Sequence, residues 1–80
     1  MNEVIEMIKN FLVGNYEPLA FSYDLPDVLI NKYDDMLKEN EEVTKILNED
    51  LPEICAEYEE GMDIQEFKTK VKKEYEKAFA

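Results

Sequence analysis

Residues 24–28 read DLPDV and residues 50–54 read DLPEI, and each phrase is followed about a turn later by a tyrosine and two acids, Tyr33-Asp34-Asp35 and Tyr58-Glu59-Glu60. How this phrase is read decides how many helices the chain makes. An aspartate ahead of a helix offers its carboxylate to backbone N–H groups that have no intrahelical partner. A proline in the first turn costs little, because its missing N–H would be unpaired there anyway, and a second acid favours the positive end of the helix. Read this way, each phrase opens a helix. The first covers about residues 26–39, with Leu29, Ile30, Tyr33, Met36 and Leu37 on its apolar arc. The second turns Ile54, Cys55 and Tyr58 inward and stops at Gly61.

Helical spacing continues on both sides. Asn2 caps a first helix that carries Ile5, Ile8, Phe11 and Leu12 on one face and ends at Gly14. Glu17 and Pro18 start a short second helix that stops near Tyr23, with Tyr16 stapled onto Phe21. Asn40 caps another, with Glu41 and Glu42 in its first turn and Val43, Ile46 and Leu47 inward. Asp63 and Glu66 form a capping box, Met62 staples onto Phe67, and Ile64, Phe67, Val71, Tyr75 and Ala78 line the last helix. No alternating β-branched run lies between hairpin turns. The expectation is a single all-α domain over residues 1–80: a compact bundle of four to six short helices, mostly antiparallel because the connections are short.

A chain of 80 residues buries roughly 60% of its unfolded surface, which gives one core and no volume for a deep substrate cavity. Its hydrophobic content of 45% is enough to drive folding. Twenty acids against nine lysines, with no arginine and no histidine, give a formal charge of −11. Such a surface repels phosphate backbones and anionic lipids, so nucleic acid and membrane are excluded as partners and a basic protein is favoured. The acid is unevenly spread: residues 1–66 hold 18 acids and four lysines, residues 67–80 two acids and five lysines. Cys55 is the only cysteine and lies in an apolar run, where it packs as a small core residue of a protein in a reducing compartment. Glu3, Glu6 and Lys9 interrupt the first apolar stretch, and a cytoplasmic location is expected.

The side chains offer little chemistry. Ser22, Thr44, Thr69 and Cys55 have no histidine to serve as base, no glycine-rich phosphate loop exists, and an enzyme is not expected. Zinc-type spacing and the glycine of a calcium loop are missing, so neither metal nor cofactor is expected. The acids are more informative. Glu53, Glu57 and Glu60 recur at steps of four and three with no lysine between them, a like-charge arrangement that costs a helix roughly 0.2–0.5 kcal/mol per pair. Asp27, Asn31 and Asp34 form a milder stripe that ends at Lys38. Each tyrosine-acid copy taken alone reads as a core-edge ring beside solvated carboxylates. Together they fit a basic protein surface, with Asp27, Asp34, Asp35, Glu53, Glu57, Glu59 and Glu60 supplying charge and Tyr33 and Tyr58 acting as anchors.

The opening MIKNFLVGNYEPLAFSYDL (residues 7–25), an amphipathic helix closed by Gly14 and followed by a staple into Phe21, resembles the start of colicin D immunity-type proteins. These belong with the bacteriocin and contact-dependent growth inhibition immunity proteins, small acidic helical partners that neutralise toxins. The resemblance covers about a quarter of the chain, and the paired-tyrosine segment of the DNase-colicin immunity group is missing. It implies a monomeric immunity protein that covers the active-site cleft of a cognate basic toxin, a nuclease, with an acidic face. Two other readings remain: a phage or plasmid nucleic-acid mimic acting on a host defence nuclease, and a carrier or scaffold module without inhibitory role. An acyl carrier protein is similar in size and acidity, but its Asp-Ser-Leu attachment motif does not occur at either helix start.

Overall fold

The computed structural model describes residues 1–79; Ala80, the last residue of the expected 1–80 domain, lies outside the described residues. Four helices follow one another: α1 (Asn2–Leu12), α2 (Pro18–Glu39), α3 (Glu41–Glu57) and α4 (Ile64–Phe79). No strand occurs among the described residues. α1 buries Val4, Met7, Ile8 and Phe11, one face at helical spacing. The expected cap at Asn2 does not form: Asn2 is already the first helical residue, Met1 stands at the cap position, and no side chain caps the helix. Its end is marked by Gly14, whose φ of +90° is open to glycine and strained for other residues.

The two DLP phrases do not start helices. Pro26 lies inside α2 and Pro52 inside α3, so the segments on either side of each phrase join and the count is four, within the four to six expected. A proline in a helix interior leaves the carbonyl four residues earlier without its donor, here those of Ser22 and Asn48, and disfavours helical geometry in the residue before it. Burial on both sides of each proline offsets this cost. Phe21, Leu25 and Leu29 are fully buried at steps of four across Pro26, and Leu47, Leu51 and Cys55 repeat that spacing across Pro52. A break at either phrase would pull its leucine out of the core.

The true starts lie elsewhere. The Glu17 carboxylate accepts the N–H groups of Leu19 and Ala20 at 3.1 and 2.8 Å, with Pro18 as first residue of α2. Asn40 Oδ1 accepts the Val43 N–H at 3.1 Å to open α3 directly after α2. Ahead of α4, Asp63 accepts the Gln65 N–H at 2.9 Å, while Glu66 pairs forward with Lys70 at 3.6 Å, so only the Asp63 half of the expected capping box is formed. Gly61 does not stop α3, which ends at Glu57; with φ +94° it turns the connection to α4.

One hydrophobic cluster joins all four helices. Phe67 of α4 is its hub: it packs against Phe11 at 4.9 Å and Phe21 at 6.0 Å between ring centres, while Phe11 and Phe21 stack at 4.1 Å. Such aromatic pairs add about 0.5–1.5 kcal/mol each beyond the area they bury. Tyr16 meets the edge of Phe21, as expected from the staple. Two residues assigned to apolar arcs are instead in solvent: Ile30 is 73% exposed, and Ile64 is also exposed. With α2 continuous from Pro18, its core face is set by Phe21, Leu25, Leu29 and Met36, and Ile30 falls on the opposite side.

The start of α1 meets the end of α2 through the Met1 amino group and Glu39 (2.6 Å) and through Glu3 and Lys32 (3.9 Å). α2 packs most extensively on α3, and α3 on α4. The radius of gyration, 11.7 Å, matches the roughly 11.6 Å of a folded chain this long, so no helix is splayed from the core.

Candidate partner-binding site

The phrase aspartates have separate duties. Asp24 accepts the Tyr16 hydroxyl at 2.5 Å and so ties the connection before α2 to that helix. Burial, then this bond and the charge of Asp24, push the Tyr16 phenol up to about 12. Asp50 turns towards α4, where Lys77 lies 3.7 Å from it and 3.8 Å from Glu74. The Glu74 side chain is only 12% exposed, and its Oε2 is enclosed without a hydrogen-bond partner. Burial first, and the charge of Asp50 second, raise the Glu74 carboxyl above the usual range, with Lys77 opposing them.

Of the expected partner-binding set, Asp27, Asp34 and Asp35 stand exposed on α2, Glu53 and Glu57 on α3, and Glu59 and Glu60 on the connection to α4. Among the described residues none of these seven acids makes an ion pair. The two expected tyrosine anchors are less free. Tyr58 is half-buried and stacks on Phe67 at 4.4 Å, with the ring planes 14° apart. Tyr33 is also half-buried, and Lys45 of α3 is held protonated by its bond to Glu41 at 2.8 Å.

The α3 stripe has neighbours that its own helix does not reveal. Asp50, Glu53 and Glu57 line an open groove of about 300 Å³ with Ile54, and the opposite wall is Lys70, Lys73 and Glu74 of α4. Two of the five lysines of the last helix thus face the stripe. Asp27, Asp34 and Asp35 are not among the residues that line this groove.

The most exposed aromatic ring was missed by the sequence reading. Tyr23, taken as the end of a short helix, is 68% exposed on the outer side of α2. Its signal was present: once α2 is read through Pro26, Tyr23, Asp27, Ile30 and Asp34 follow at steps of four, three and four.

The hydroxyl groups are bound within their own helices. Ser22, Thr44 and Thr69 donate to the carbonyls of Leu19, Asn40 and Gln65. Cys55 is buried, and burial pushes its thiol up to about 12, far from the reactive thiolate. Among the described residues no group of three acid or cysteine side chains is placed to hold a metal ion, and no helix is long and apolar enough to cross a membrane. No protein-family model, no curated protein and no solved structure matches the chain.

Proposed function

We propose that this chain is an immunity-type inhibitor, which binds a cognate basic nuclease toxin in the cytoplasm and covers its nucleic-acid cleft with carboxylates in place of phosphates. The observation that carries this reading is the set of exposed acids, Asp27, Asp34, Asp35, Glu53, Glu57, Glu59 and Glu60, none of which is neutralised by an ion pair among the described residues. With a formal charge of −11, exposed carboxylates outside any ion pair raise the association rate with a cationic cleft and disfavour anionic partners. A rigid helical frame suits the role, since a surface held in place by one shared core loses little entropy on binding. The start of α1 contacts the end of α2, and Lys77 late in α4 meets Asp50 while Lys70 earlier in α4 lines a groove with Glu57, which supports an antiparallel order of these neighbours.

The test is whether the product of a gene adjacent to that of this chain is a nuclease and whether the chain inhibits it. A stoichiometric complex that abolishes cleavage of nucleic acid is the expected outcome. A nuclease that keeps full activity with the chain in excess overturns the reading.

A further inference from the structure

The outer face of α2 carries more than charge. Tyr23 and Ile30, the latter the most exposed large hydrophobic residue described, are seven residues apart on one side of the helix, and Leu37, half-buried, takes the next step of seven. Seven residues span about 10 Å of helix and two turns, so the three form a row rather than scattered points. Asp27 and Asp34 alternate with them along the same stripe, exposed and without ion-pair partners among the described residues. The opposite side of the helix is filled by the buried Phe21, Leu25, Leu29 and Met36, so the outer row is not needed by the core.

We infer that this face, Tyr23–Asp27–Ile30–Asp34, is the contact surface for a basic protein, one that presents apolar hollows about 10 Å apart flanked by lysine or arginine. The inference rests on the reading of the chain as the partner of a basic protein and names the face that makes the contact. Charge decides among the occupants. A second copy would set Asp27 and Asp34 against like charges on a chain of −11, and an anionic lipid surface or nucleic acid meets the same repulsion. A cationic protein instead pairs both aspartates while Tyr23 and Ile30 bury apolar area between them, the arrangement of an interface hot spot with a charged rim.

Two arms test this separately from the nuclease reading. In the first, the full chain labelled with ¹⁵N is titrated with a synthetic helical peptide that carries leucine at every seventh position and lysine between. Shift changes should concentrate on residues 23–38, and Ile30→Glu should weaken binding at least tenfold. Glu76→Lys, an exposed charge reversal on α4, should leave the α2 contact in place. Absence of binding, or shift changes centred on the groove between α3 and α4, overturns the inference. In the second arm the probe is the product of an adjacent gene, first assayed for nuclease activity. Loss of inhibition with Tyr23→Ala and Ile30→Glu supports the face. Intact inhibition with both variants overturns the face and leaves the nuclease reading standing. Peptide binding on α2 with no nuclease inhibition by the wild type does the reverse. Circular dichroism of each variant, expected to match the wild type because both side chains are exposed, separates lost contacts from lost folding. A free chain that sediments as a dimer, and as a monomer after Ile30→Glu, would give the face to a second copy and overturn the inference.

Discussion

α2 and α3 carry the same phrase in the same setting, yet their acids meet different surroundings. In both helices a proline interrupts the backbone ladder and a buried leucine beside it holds the helix together. Beyond that the copies diverge. The acids of α3 look across a groove at Lys70 and Lys73, and its aspartate joins Lys77 and the enclosed Glu74. The outer face of α2, with Tyr23 and Ile30, is exposed among the described residues, and its aspartate, Asp24, serves a local bond to Tyr16. An identical local phrase thus serves the core in both places, and the neighbouring helix decides what each exposed face is free to do.

The comparison can be broken first at the core. Leu25→Ala and Leu51→Ala should each destabilise the protein by about 2–5 kcal/mol in urea unfolding, because both leucines are fully buried. A near-neutral result for either would mean that its phrase lies at a helix boundary. The prolines separate the two readings by sign. Pro26→Ala and Pro52→Ala return a donor to the Ser22 and Asn48 carbonyls and should stabilise the protein by about 1 kcal/mol, below the roughly 3 kcal/mol difference between proline and alanine in a helix interior. At a helix start the same changes would instead lose about 0.4–1 kcal/mol, through greater freedom of the unfolded chain.

A smaller effect sharpens what is particular to α3. Because the folded-state Glu74 carboxyl is raised above its usual 4.5, the folded protein binds this proton more tightly than the unfolded chain does. Stability from this group is present below the unfolded value and is lost as pH rises through the folded one. Glu74→Gln, which stays neutral, should therefore gain on the wild type as pH rises above about 4.5 and through the raised folded-state value. Parallel pH profiles of the two proteins would show that Asp50 and burial do not act on Glu74 as described.

Much of this architecture is legible along the chain. Spacing of apolar residues places helices from end to end, Glu17-Pro18 and Asn40 mark the starts of α2 and α3, and the Tyr16–Phe21 contact follows from the sequence around Pro18. The phrase itself misleads, because aspartate followed by proline is a good helix opening taken by itself. The contrary signal was the run of apolar residues at steps of four straight through each proline, Phe21-Leu25-Leu29 and Leu47-Leu51-Cys55. Splitting α2 at the phrase also hid the outer row, since Tyr23 and Ile30 share a face only when one helix holds both.

What the sequence determines by itself is local: helical periodicity, the caps at Glu17 and Asn40, the glycine turns, the burial of Cys55 and the excess of acid. The tertiary structure decides whether a proline stands at a start or in a middle, because the core that rewards continuity comes from residues far apart in the chain, such as Phe11, Phe21 and Phe67. It decides also which acids are free. A carboxylate with no lysine one turn away on its own helix can still face one across a groove, as Glu53 and Glu57 face Lys70 and Lys73.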